Sequence, residues 1–178
     1  MSAYFEDFYF DEDALYMERN SRDFARRIAV IDANTEAVCD LLRARSAVNG
    51  TPGAVIKDVF YPKWTSRANY DRCRIQDARG GGGFGGLFAT TFTSLAASRA
   101  FFDALPCYKG PSLGTNFTLA CPYTVIAHYL ELEWVATYGV EEGLVRVSVG
   151  MEGRQELLDA FSLATRAAEA ASRVEDAA

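Results

Sequence analysis

Apolar residues recur along the first third of the chain at helical spacing. Phe24, Ile28, Ile31, Val38 and Leu42 follow steps of three, four and seven, one stripe of a helix predicted over residues 11–45. Asp11 is the expected cap, with Glu12 and Asp13 favouring the positive end of the helix dipole. Arg22, Arg26, Arg27 and Arg43 lie off the stripe, on a solvated face, and Asn49-Gly50 and Pro52-Gly53 end the helix. The pattern then changes period. Ala54 to Tyr61 reads as a strand closed by Pro62, Asn69 to Ile75 as a short helix, and Leu87 to Thr93 as a strand of aromatic and β-branched residues. Ser94 is the expected N-cap of a helix from Leu95 to Leu105, burying Ala96, Ala97, Ala100 and Phe101. Ser112 to Leu119 is extended, and an aromatic helix runs from Pro122 to about Tyr138, where Gly139 stops it. From Leu144 to Val149 residues alternate, with Val145, Val147 and Val149 on one face and Leu144, Arg146 and Ser148 on the other. A last helix, Gln155 to Ala171, buries Leu157, Leu158, Phe161, Ala164 and Ala168. Strands returning between helices without βαβ regularity predict an α+β fold, a mostly antiparallel sheet with helices on one face. The whole chain, 1–178, reads as one domain: a long linking helix over 11–45, then an α/β part over 54–178.

Composition narrows the function classes. A length of 178 residues at 49% apolar content is enough for one buried core. The charge of −6 supplies no electrostatic footprint for nucleic acid or an anionic membrane. Neither a basic signal-peptide start nor an apolar run of the ~20 residues a membrane helix needs is present, so a soluble, cytoplasmic protein is expected. Cys39, Cys73, Cys107 and Cys121 form no Cys-x-x-Cys pair, and with the single histidine, His128, they give no zinc pattern. They read as core or near-core thiols in a reducing compartment; a catalytic cysteine paired with His128 has no local motif behind it.

The run Gly143-Leu144-Val145-Arg146-Val147-Ser148-Val149-Gly150-Met151-Glu152 closely resembles a signature near the end of the Cys/Met-metabolism family of pyridoxal-phosphate enzymes, which includes cystathionine γ-synthase. Phe84-Gly85-Gly86 and Ser112-Leu113-Gly114 resemble two further family blocks, in the family's order. The resemblance covers nearly the whole chain and implies the small, C-terminal domain of fold-type I enzymes, entered through the long first helix. It implies that Arg146 grips a substrate α-carboxylate, chemistry that a planar guanidinium suits through two parallel hydrogen bonds. Ser112 would line the same pocket. Two positions depart from the family pattern: Pro111 stands where cystathionine-handling members often carry glutamate, and Thr115 replaces a second glycine. Both point away from cystathionine as substrate.

The family's cofactor lysine, phosphate-binding turn, ring-stacking tyrosine and pyridine-binding aspartate all belong to the large domain, upstream of these motifs. Lys57, Lys63 and Lys109 are the only lysines, and none has the family's serine or threonine flanks. The glycine run 80–83 leads into a strand, so it reads as a hinge and not as a phosphate cradle. No cofactor is therefore expected on this chain, with pyridoxal phosphate entering only if a partner chain supplies the lysine. A chain starting at Met1 reads as a natural truncation or as an excised piece. Losing the large domain would bare a concave aromatic surface, with Phe84, Phe88, Phe92, Phe117, Tyr123, Tyr129 and Trp134 as candidates to line it, several of which read equally as core. A second copy, a partner or an apolar ligand should cover such a surface.

The expected function is a stand-alone, cofactor-free descendant of the family that binds a small, largely apolar substrate, acting as a cyclase of secondary metabolism, pericyclic (Diels–Alder type) reactions included. Arg146, Ser112, Tyr123 and His128 are the candidate catalytic residues. Arg146, Ser112, Leu113, Gly114, Thr115, Phe84, Phe88 and Trp134 are the candidate substrate contacts. His128 reads equally as a packed histidine. The alternatives are the substrate-side half of a pyridoxal-phosphate γ-synthase working with a separate chain, and a non-catalytic interaction module.

Overall fold

The computed structural model describes residues 8–75 and 82–175. Its first helix is not continuous. Helix α1 (Asp11–Ser21) and helix α2 (Phe24–Ala44) are separated at Arg22 and Asp23. Arg22 turns back onto Glu18 at 2.9 Å, and Asp23 takes Arg26 and Arg27, each at 2.8 Å. The cap differs as well: extended Phe10 precedes α1, and Asp11 is already its first helical residue. The apolar stripe is buried only in its second part. Ile31, Val38 and Leu42 enter the core, while Phe24 and Ile28 stay exposed because the sheet begins beneath Ile31.

Five strands follow: β1 (Ile56–Phe60), β2 (Leu87–Phe92), β3 (Tyr108–Lys109), β4 (Leu119–Pro122) and β5 (Val145–Ser148). They form one sheet in the order β1-β2-β5-β4-β3, antiparallel except for the β3–β4 pair. This is the α+β arrangement expected. Between β1 and β2, Pro62 opens helix α3 (Pro62–Thr65) instead of merely ending the strand, and α4 (Arg67–Asp71) replaces the helix expected over 69–75. Helix α5 (Leu95–Ala104) starts as expected, with the Ser94 hydroxyl accepting from the Ala97 N–H at 3.2 Å. The aromatic helix after Pro122 breaks into α6 (Tyr123–His128) and α7 (Leu132–Ala136), and α8 (Arg154–Glu175) closes the chain.

Helices α2, α5 and α8 pack on the valine face of the sheet. Val145, Val147 and Val149 lie there beside Phe88, Phe92, Phe101 and Phe161, all buried. Each such side chain contributes about 1.5–3 kcal/mol on leaving water. Phe84, Phe88 and Phe92 are thus core residues, the core reading of the two alternatives, which corrects Phe84 and Phe88 as substrate contacts; β2 packs Phe88 and Phe92 inward against α8 and α5. Phe117, Tyr129 and Trp134 are exposed as expected. Among the described residues no helix is long and apolar enough to cross a membrane.

Candidate functional site

The sheet face opposite the core carries a row that crosses four strands. Phe60 pairs with Ala89, Ala89 with Arg146, and Arg146 with Cys121. Alternation along β5 places Arg146 on this outer face, and the small Ala89 beside it leaves room for the guanidinium. Arg146 Nη2 donates to the Pro111 carbonyl at 2.5 Å, and its Cζ lies 4.9 Å from the centroid of the Tyr123 ring. The head group is held on one edge and one face.

The three family-like blocks converge at the end of β5. Gly114 donates its N–H to the Ser148 hydroxyl at 3.1 Å, in a left-handed conformation (φ 73°) that glycine adopts without strain. The Val149 N–H donates to the Gly86 carbonyl at 2.8 Å, tying the first block in chain order to the third. Beyond them Gly150, Met151 and Glu152 form a clamp on the 111–118 loop. The Glu152 carboxylate accepts from the Thr118 N–H at 2.5 Å and from its hydroxyl at 2.9 Å. The Gly150 N–H donates to the Thr118 hydroxyl at 3.0 Å, and the Met151 N–H to the Asn116 carbonyl at 2.8 Å. From α2, buried Asn34 donates to the carbonyls of Gly150 (3.2 Å) and Glu152 (2.9 Å). Asp32, two residues earlier on α2, accepts from Gly83 and Gly85 N–H at 3.1 and 3.0 Å. Asn34, Asp32, Thr118 and Glu152 escaped the sequence reading as site-building residues; the glutamate closing the third block was the one available signal.

Other candidates fall into place unevenly. Ser112 and Leu113 are exposed beside Pro111, while the Thr115 hydroxyl turns onto the Phe117 carbonyl at 2.5 Å. Phe84 lies buried between the guanidinium groups of Arg67 and Arg74, 4.7 and 4.4 Å from its ring. Trp134 stacks edge-on with Tyr138 on α7 (5.1 Å). His128 Nδ1 lies 2.6 Å from Glu131 and its ring 5.8 Å from Tyr123, so it reaches Arg146 only through that tyrosine. Beside Arg146 is an open depression of about 290 Å³, walled by Leu87, Ala89, Tyr123 and Leu144, with buried Phe88 behind them. A larger groove, about 650 Å³, runs along α2, but its cations are neutralised internally. Lys63 pairs with Glu36 and Asp40, and Arg67 and Arg74 pair with Asp71.

Among the described residues, the three lysines and the Gly83 and Gly85 N–H groups are already engaged within the chain. Lys57 pairs with Glu141 at 2.9 Å, Lys63 with Asp40 at 2.7 Å, and Lys109 caps the Leu105 carbonyl at 2.8 Å. None faces Arg146. The N–H groups of Gly83 and Gly85 are already occupied by a carboxylate, Asp32, which would repel a phosphate. Gly80 and Gly81 lie outside the described residues. No cluster of metal-ligating side chains occurs among the described residues. Of the thiols, burial pushes Cys39 well up, and Cys121 is raised by burial against the opposing pull of Arg146.

No family model matches the sequence. Over 96% of its length the chain is 56% identical to the cystathionine gamma-synthase-like enzyme iboG2 of Amanita muscaria, covering 29% of that protein. Over 90% of its length it is 47% identical to the cystathionine gamma-synthase of Saccharomyces cerevisiae, covering 24% of it. The crystal structure of cystathionine gamma synthase from Xanthomonas oryzae pv. oryzae, in complex with cystathionine, superposes with a TM-score of 0.71 at 28% identity, over 90% of this chain and 39% of that one. The chain spans about three-tenths of the length of the curated relatives it matches. With its α+β sheet, and the three blocks joined at the end of β5, the chain belongs to the cystathionine γ-synthase-like family and corresponds to the small C-terminal domain of these fold-type I enzymes.

Proposed function

We propose that this chain is the substrate-gripping domain of a cystathionine γ-synthase-like enzyme, holding an amino-acid substrate by its α-carboxylate at Arg146. One observation carries this reading. Among the described residues Arg146 is the only partly buried arginine without a carboxylate partner, whereas Arg27, Arg43 and Arg74 each have one. A partly exposed guanidinium with no carboxylate against it stands ready for an anion. Pro111 takes one Nη2 hydrogen and Tyr123 one face of the plane, which leaves a guanidinium edge for two parallel bonds to a carboxylate. The chemistry of bond breaking belongs to another segment or chain, where pyridoxal phosphate would be held. The share of this chain is to bind and orient. Exposed apolar residues on α1 (Leu15, Tyr16, Met17), together with Phe24 and Ile28, support docking of such a domain or of a second copy.

The apolar walls of the depression favour a second reading, in which the chain alone binds an apolar carboxylic acid and holds a reactive conformer for cyclisation. Co-expression with the large-domain segment of a relative separates the two. Under the first reading the pair supports amino-acid turnover, and Arg146→Gln abolishes it while the two still co-purify. Turnover unaffected by Arg146→Gln would contradict this, and conversion of an apolar acid by the isolated chain would establish the second reading.

A further inference from the structure

The depression beside Arg146 has a composition of its own. Its walls are Phe60, Leu87, Ala89, Val140 and Leu144, with the Tyr123 ring at the guanidinium. Among the described residues Arg146 is the only charged group lining it, and the Tyr123 hydroxyl the only other polar side-chain group. A second zwitterionic end, such as that of cystathionine, would need partners for both an ammonium and a carboxylate, and no side-chain carboxylate or second cation lines the walls. At about 290 Å³ the space lies at the lower edge of the ~300–1,000 Å³ range of ligand pockets. Two of the walls, Phe60 and Leu87, are 38% and 42% exposed, so an apolar group placed there would remove surface that now faces water.

We infer that this depression is a side-chain subsite selecting carboxylates with a compact apolar tail, the carboxylate on Arg146 and the tail against Leu87 and Leu144. The inference rests on the reading of Arg146 as a carboxylate clamp and adds the substrate class. It gives Pro111 a part as well, because the carbonyl that fixes the guanidinium also sets where the tail must leave the carboxylate.

The test is a titration of the isolated chain with acetate, butyrate, hexanoate and the matching n-alkyl alcohols and amines. Binding is followed through the methyl resonances of Leu87, Val140 and Leu144 and the side-chain N–H of Arg146. Affinity of the acids should rise about three- to fourfold per methylene until the space fills. Leu87→Asn, at an exposed position of the wall, should flatten that rise. Acids that all bind at Arg146 with no dependence on tail length would overturn the subsite yet leave the clamp standing. Alcohols or amines binding as well as the acids, or no shift at Arg146 with any acid, would overturn both.

Discussion

Gly150 is where the third sequence block becomes a mechanical part. A Cβ added there would lie 2.4 Å from Phe117 Cα, 2.5 Å from its carbonyl carbon and 2.6 Å from the Asn116 oxygen. All three atoms are backbone, so no rotamer change relieves the clash. Carbon atoms rest at about 3.5–4.0 Å, so Gly150→Ala requires the 116–118 segment to withdraw by about 1 Å. Overpacking of this kind costs about 1–3 kcal/mol. The withdrawal also strains the bonds from Thr118 to Glu152 and from Met151 to Asn116, and hydrogen bonds to a charged acceptor contribute about 1.5–3 kcal/mol each. Partial relaxation should leave a net loss of about 3–4 kcal/mol. Gly86→Ala is the internal control. Its Cβ would meet Ile31 Cγ2 at 2.4 Å, but that is a side-chain methyl which can turn away, and the nearest backbone atom is 3.6 Å off. A loss of about 1–2 kcal/mol is expected there. Urea unfolding of both variants decides the matter. A Gly150→Ala protein as stable as wild type, or more stable than Gly86→Ala, would refute the clamp.

Asn34→Ala removes two donors from buried carbonyls and should cost about 1–3 kcal/mol in the same assay, without altering α2 helicity in circular dichroism. Burial raises the pKa of Cys39 and of Tyr61 above their unfolded values of about 8.5 and 10, so the folded chain keeps protons that the unfolded chain releases. Stability should therefore be fully present below about pH 8.5 and fall as pH rises beyond it, with the slope reduced in Cys39→Ala and in Tyr61→Phe; denaturant midpoints across the alkaline range measure this. Thiol alkylation under native conditions, followed by mass spectrometry, should modify exposed Cys73 first and partly buried Cys107 next, with Cys39 and Cys121 reacting only on unfolding.

Much of the fold was legible where one local signal decided it. The alternation over 144–149 placed three valines in the core and Arg146 outside, and Ser94 marked a helix start that the structure confirms in detail. The failures share a physical cause: periodicity reports that a face is apolar, not that anything lies against it. Phe24 and Ile28 continue the stripe of α2, yet both stay exposed among the described residues. Phe88 and Phe92 read equally as surface or core, since aromatic residues on a strand do not say which sheet face is the closed one. The break between α1 and α2 depended on Arg22 and Asp23 folding back onto their own turns, and neither is a helix breaker by propensity. At the site, Arg146 and the 111–115 loop were found through their motifs. The carbonyl of Pro111 and the ring of Tyr123 as its two holders could not be, because both contacts depend on how the loop crosses the sheet.

The central claim is that Arg146 is an open carboxylate clamp. Its most direct measurement is a titration of the chain with an α-amino acid bearing an apolar side chain, read at the Arg146 side-chain N–H resonances and compared with Arg146→Lys and Arg146→Gln. The account predicts saturable shifts centred on Arg146, Tyr123 and Pro111, and at least a thirtyfold loss of affinity in Arg146→Gln, roughly the lower end of what removing one partner of a desolvated charge pair costs. Arg146→Lys keeps the charge but not the fork and should fall in between. Equal affinity in all three proteins, or shifts that bypass Arg146, would contradict it.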